Sequence, residues 1–246
     1  MRRVTWQVPM AVVLLIGFAG VGIIAHTARA GTVVDHRVLD WFVAQRNAAL
    51  TGIATLITDV GSPAAIAAIA VVAAVLIWAR TRAAGTAIAV VATVGLASAL
   101  STVSKALVGS HRPPTAVQLL TETDHSYPSG HVTGTAALLG ILAIVVGTRT
   151  GQVVGLLVCA AVATLVVAAT RLYLGVHWLT DVTGGLLLGS AAVLLGWAFL
   201  ARPADRTPGT TEDSAEPTLT RWCRLVVRAV NGCGFAMAEH EDHQAG

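Results

Sequence analysis

AAGTAIAVVATVGLASALSTVS, residues 83–104, runs for 22 residues without a charge and is closed by Lys105, the one lysine in the chain. At about 1.5 Å per residue, such a helix crosses a hydrocarbon core of about 30 Å. Five other stretches are similarly charge-free: residues 4–25, 60–79, 132–148, 150–170 and 182–201. The stretch 132–148 has 17 residues and sits at the lower bound for a span. Lipid offers no partners for backbone groups, so a spanning segment must hydrogen-bond to itself, and all six are expected to be helices. Gly185 and Gly189 stand four residues apart, as suits close helix contact in lipid. The expected fold is therefore an all-α polytopic bundle with six transmembrane helices, in a membrane domain of residues 1–201.

Composition agrees with that reading. Of 246 residues, 55% are hydrophobic and only 12% are charged, about half the charge of an ordinary globular domain. What remains cannot cover a soluble protein's surface, and a disordered chain needs the opposite balance. In such a protein the net charge of +3 points to membrane orientation and implies no nucleic-acid partner. Cys159, Cys223 and Cys233 show neither metal-ligand nor disulfide spacing and are expected to be free thiols.

Basic residues set the expected topology. With the N-terminus inside, the inner segments carry Arg2, Arg3, Arg80, Arg82, Arg149, Arg202 and Arg206. The outer ones carry Arg29, Arg37, Arg46, Lys105, Arg112 and Arg171, together with six acids. Setting aside Lys105, Arg112 and Arg171, which belong to the site below, leaves seven against three and puts both termini in the cytoplasm. Met1-Arg2-Arg3, an apolar run and Ala28-Arg29-Ala30 are similar to a cleavable signal peptide, but the run is longer than such a region needs, so a retained first helix is expected. Between the first two spans, residues 47–58 are apolar but short, and should lie at the interface or pack on the bundle. Residues 202–246 read as a flexible cytoplasmic tail. Within it, Arg221, Arg224 and Arg228 on one helical face oppose Trp222, Leu225 and Val226, as in a short amphipathic helix.

Polar residues are scarce, so their clustering is informative. Three groups stand at the outer ends of spans: Lys105 to Arg112-Pro113, Pro128-Ser129-Gly130-His131, and Arg171 to His177 and Asp181. Between His131 and Arg171 lie 39 residues, about 58 Å of helix, which is two crossings. The three groups therefore return to one face. One lysine, two arginines, two histidines and an aspartate suit phosphoryl transfer. The cations neutralise phosphate oxygens. Ser129 and Gly130 precede a helix whose first N–H groups can add donors. Of two histidines, one can attack phosphorus and the other protonate the leaving oxygen. Asp181, four residues past His177, can orient its ring. Asp181 is the only carboxylate in the three groups, too few for a dedicated magnesium site.

K-x6-R-P, P-S-G-H and R-x5-H-x3-D, in that order, resemble the three-part signature of the type 2 phosphatidic acid phosphatase superfamily. That superfamily includes lipid phosphate phosphatases, bacterial undecaprenyl-diphosphate phosphatases and, more distantly, vanadium haloperoxidases. Thr170 stands where the third motif usually begins with Ser. The resemblance implies that Lys105, Arg112 and Arg171 bind phosphate, with donors from Ser129 and Gly130. It further implies that His177 is the nucleophile, assisted by Asp181, that His131 is the general acid, and that no metal or other cofactor is needed. His111 and His125 match no motif position and read as loop residues. The expected activity is metal-independent hydrolysis of a lipid phosphomonoester or diphosphate at the outer face of the cytoplasmic membrane. Undecaprenyl diphosphate is the favoured substrate, and phosphatidylglycerophosphate or phosphatidic acid the alternative. A lipid-phosphate binder or transporter would not need the His177–Asp181 pair.

Overall fold

The structure, a computed structural model, describes residues 6–202. The tail and its amphipathic segment lie outside the described residues, apart from Arg202. Eight α-helices and one short 3-10 turn account for the described secondary structure. They are α1 (Gln7–Ala28), α2 (Val33–Ala44), α3 (Ala48–Val60), α4 (Pro63–Thr81), α5 (Ala84–Val108), α6 (Gly130–Val146), α7 (Thr150–Tyr173) and α8 (Leu179–Leu200). Five of these, α1, α4, α5, α7 and α8, are long and apolar enough to cross a membrane. The sixth expected span is α6, with 17 residues, about 26 Å of helix. The chain is a polytopic membrane helix bundle.

Close contacts fix how the long helices run. Gly185, Gly189 and Gly140 bring α8 and α6 together through the pairs Gly185–Val132, Gly189–Ala136 and Gly140–Val193, so the two helices run parallel. A Cβ at Gly189 would lie 2.6 Å from that of Ala136. Backbones thus approach over small residues, as expected where apolar burial cannot drive helix association. Helix α4 runs alongside them, with Pro63 beside Gly130 and Ile66 beside Gly134. Helix α1 is antiparallel to α8. Trp6 meets Trp197 edge-on at 5.4 Å near one end, while Gly31 lies against Trp178 at the other. The three expected motifs gather at that second end.

The core between α4, α5, α6 and α8 is built from Ile66, Val90, Val94, Ala97, Leu138, Ile141 and Ala192. Other large apolar side chains, such as Val13, Ile16, Val72 and Val158, point outward and are exposed. On a soluble protein these would form an anomalous surface; in a bilayer they face lipid. Residues 47–58 do form a short helix, α3, capped by Asn47 and packed on α7. Helix α2 was not anticipated from the mixed charges of its segment. Its start is set by a capping box, in which Thr32 and Asp35 satisfy each other's backbone N–H groups. The spans read from sequence are otherwise displaced by a few residues, the first extending to Ala28 because His26 and Thr27 continue the helix.

Candidate functional site

Helix α5 ends at Lys105 and Val108, and Gly109, at φ +62°, turns the chain away in the left-handed region. The loop that follows carries Arg112 across to the third motif. Its guanidinium donates through Nη1 to the Val176 carbonyl (2.7 Å) and to Nε2 of His177 (3.2 Å), and through Nε to the Asp124 carbonyl (2.8 Å). Gly175, at φ +72°, makes the bend that sets His177 just before α8. A side chain there would also collide with the Val117 carbonyl and with Arg46.

His177 is buried, and its Nδ1 lies 3.2 Å from Oδ2 of Asp181. A guanidinium can only donate, so Nε2 of His177 accepts from Arg112 and the ring proton sits on Nδ1, facing Asp181. Burial, then Arg112, Arg171, Lys105 and His131, hold the His177 imidazole well below its usual pKa, so the ring is neutral at pH 7. Oδ2 of Asp181 also accepts from the Trp178 N–H (2.7 Å) and from the Ser126 hydroxyl. The expected pairing is therefore present, closed by a turn at the start of α8, with Ser126 as a third member 3.3 Å from Nδ1.

Ser129 is the residue before α6 and is fully buried. Its N–H donates to the Asp181 carbonyl (3.0 Å), which ties the second motif to the third, while its hydroxyl has no partner among the described residues. The first amides of α6, from Gly130 onward, have no carbonyl one turn back to accept them. The His131 ring makes no hydrogen bond to a protein group among the described residues.

Arg171, at the end of α7, is 1% exposed. It donates to the Thr58 hydroxyl of α3 (2.7 Å) and pairs with Glu122, while its Nε lacks a partner among the described residues. Lys105 pairs with Asp124 at 3.1 Å and donates to the His125 carbonyl. Arg112 also pairs with the Asp124 carboxylate and lies 3.7 Å from Glu122. Burial raises the Asp124 carboxyl, but Lys105 and Arg112 outweigh it and hold that group below its usual range. Beside Lys105, a cavity of about 480 Å³ opens between α4, α5 and the loop, reaching Pro63, Ser101 and Gly130.

Every motif residue expected from sequence is thus at one end of the bundle. His111 and His125 meet the site through their main-chain carbonyls, to Trp178 and Lys105 respectively. Sequence reasoning missed Ser126, Thr58, Glu122, Asp124 and Asp35. Asp35 of α2 is buried and accepts from the N–H (2.9 Å) and hydroxyl (3.3 Å) of Thr180, in the first turn of α8. Behind the site, Tyr127 donates its hydroxyl to the Phe18 carbonyl of α1; burial pushes that phenol well up, so it stays a neutral donor.

Similarity to known proteins bears on this arrangement. An undecaprenyl-diphosphatase of Sulfolobus acidocaldarius is 36% identical over 131 residues, covering 50% of this chain and 58% of that protein. The chain therefore matches little more than half of that relative's length. A crystal structure of a transmembrane PAP2-type phosphatidylglycerolphosphate phosphatase from Bacillus subtilis superposes with a TM-score of 0.71 at 24% identity, covering 80% of this chain and 98% of that one. Aquifex aeolicus LpxE gives 0.57 at 16%, over 68% and 97% of the two chains. At those identities the two structures speak for the fold. A match to the PAP2 superfamily covers residues 86–204, from the first turn of α5 through the last of α8 and across all three motifs, and over that segment the chain is similar to the PAP2 superfamily.

Proposed function

We propose that this protein is an integral membrane lipid phosphatase that cleaves a terminal phosphate, favouring undecaprenyl diphosphate, through a phosphohistidine on His177. The observation that carries the reading is the His177 ring itself: neutral, with its proton directed at Asp181 and its Nε2 lone pair directed at Arg112. A protein that merely binds phosphate has no use for that poise. Lys105, Arg112 and Arg171 neutralise the phosphoryl oxygens. The unpartnered Ser129 hydroxyl and Arg171 Nε, with the free amides at the start of α6, supply further donors.

When Arg112 turns Nη1 from Nε2 of His177 to the phosphoryl oxygens, the freed Nε2 lone pair attacks phosphorus, the bond to the leaving oxygen breaks, and His131 gives that oxygen its proton. Asp181 stabilises the charge that develops on the His177 ring. Water then attacks phosphorus, His131 takes the proton back, and the phosphorus–nitrogen bond breaks to release orthophosphate. An amphiphile suits this site, since its tail can stay in the bilayer while its headgroup enters beside Lys105. In this reading α6 is the sixth crossing, α1 is retained, both termini are cytoplasmic and the site faces outward. The 36% identity with an undecaprenyl-diphosphatase supports that lipid.

Phosphate release by the purified protein in detergent tests the reading, across undecaprenyl diphosphate, phosphatidylglycerophosphate and phosphatidic acid, with EDTA present. Turnover fastest on the diphosphate, and lost in His177→Ala, is expected. Absence of turnover on all three would leave a binder. Sidedness is tested by cysteines placed at Thr121 and Thr150 after the native three are replaced. An impermeant reagent outside intact cells should label the first and spare the second, and the reverse pattern would put the site inside.

A further inference from the structure

Among the described residues, all three site cations are already paired, and with only two carboxylates. Asp124 joins Lys105 and Arg112, and Glu122 joins Arg171 and approaches Arg112. The two sides of these pairs differ in exposure. The side chains of Lys105, Arg112 and Arg171 are 14%, 7% and 1% exposed, whereas Asp124 is 53% and Glu122 27% exposed. The cations are thus fixed by the fold, and the carboxylates sit on a stretch without regular structure between the 3-10 turn Thr115–Val117 and α6. Either carboxylate can turn outward and recover water, which a buried cation cannot do. One of these cations keeps a donor without a partner among the described residues, Arg171 Nε, so the carboxylates only partly fill the available bonding.

We propose that Glu122 and Asp124 are specificity-determining residues that compete with substrate for the three cations, admitting a terminal phosphate and refusing a phosphodiester; this rests on the phosphatase reading above. Formal charges give +3 from the cations and −2 from the carboxylates. A terminal phosphate has three unesterified oxygens, one for each cation, and enough charge to replace both carboxylates. A diester has two such oxygens and one charge. Displacing both carboxylates would leave two of the three buried cations unmatched in charge, one more than in the resting site, which is costly. In a membrane made largely of phosphodiester lipids, that difference keeps the site free. After hydrolysis the returning carboxylates help orthophosphate leave, which limits product inhibition.

The double variant Glu122→Gln, Asp124→Asn and the single Asp124→Asn test this. Binding of orthophosphate is measured by calorimetric titration and as inhibition of turnover, alongside inhibition by phosphatidylglycerol, a diester. In the double variant orthophosphate should bind about tenfold tighter or more, phosphatidylglycerol should become an inhibitor, and turnover should become limited by phosphate release. Asp124→Asn should shift the same quantities less. Asp40→Asn, an exposed acid on α2, should shift neither and controls for general charge. Unfolding midpoints and gel filtration identify variants that fold. Unchanged or weaker orthophosphate binding in folded variants would overturn the proposal and make the carboxylates props for the cations, with the phosphatase reading intact. If orthophosphate binds neither the wild type nor any variant and no lipid phosphate turns over, the phosphatase reading fails and this proposal with it.

Discussion

Replacing Asp35 by alanine removes one buried carboxylate and four hydrogen bonds: from the Thr32 N–H and hydroxyl, both at 2.8 Å, and from the Thr180 N–H at 2.9 Å and hydroxyl at 3.3 Å. Bonds to a charged acceptor contribute about 1.5–3 kcal/mol each, a nominal sum of about 6–12 kcal/mol. That sum is too large, because Thr32 and Thr180 are only partly buried and water replaces part of what is lost. Loss of the α2 cap alone costs about 1 kcal/mol. Adding the severed link to α8, a net loss of about 3 kcal/mol is expected, or a fall in unfolding temperature of about 6–12 °C for a chain of this size. Asp35→Asn keeps an acceptor for the Thr180 N–H and should lose about half as much. Thermal unfolding in detergent reads the stability. Initial rates taken well below the midpoint read the site, where kcat should fall with KM little changed, since Thr180 lies between His177 and the body of α8. An Asp35→Ala protein within 1 kcal/mol of wild type would refute the view that α2 anchors the start of α8.

Ser126→Ala removes a donor from the Asp181 carboxylate; at about 1.5–3 kcal/mol, kcat should drop about 10- to 100-fold while KM holds, and Ser126→Thr should restore much of it. Loss in KM alone would mean that Ser126 does not serve the His177–Asp181 pair. For His177, the folded pKa lies below the unfolded value of about 6.5. Below that pH the unfolded chain takes a proton that the folded chain refuses, so stability is full above about pH 6.5 and declines as pH falls. His177→Asn should flatten the dependence of the unfolding free energy between pH 7 and 5 by up to about 1 kcal/mol per pH unit, and an unchanged slope would contradict the neutral ring. Gly189→Ala places a methyl 2.6 Å from the Ala136 Cβ and 2.8 Å from the Thr133 carbonyl. It should cost about 1–3 kcal/mol by forcing α6 and α8 apart, read by thermal unfolding; no change would mean that the two helices are not tightly seated.

The parts of this protein legible from sequence are those where residue type and length carry the physics alone. Charge-free runs of about 20 residues have few alternatives to spanning helices, and the motif residues stand out because so little else is polar. Helix α2 was hidden because Asp35, His36, Arg37 and Asp40 break the apolar pattern, although Thr32 and Asp35 already spelled a capping box. Glu122 and Asp124 were weighed as topology charges among the six outer acids; nothing in one sequence says that a loop folds back onto three cations. Ser126 and Thr58 carry no signal of their own, since a serine or threonine beside a motif or in a short apolar helix is ordinary. Their roles come from tertiary approach, from α3 reaching Arg171 and from the loop before α6 lying across Asp181.

Mapping the phosphoryl group during turnover tests the central claim most directly. The purified protein is mixed with undecaprenyl diphosphate, quenched in alkali, where phosphohistidine survives, and digested for mass spectrometry. Phosphate on His177, absent after the substrate is exhausted and trapped longer when His131 is replaced, is the predicted result. Steady turnover with His177 never modified, or a His177→Ala protein that hydrolyses the lipid at the wild-type rate, would contradict it.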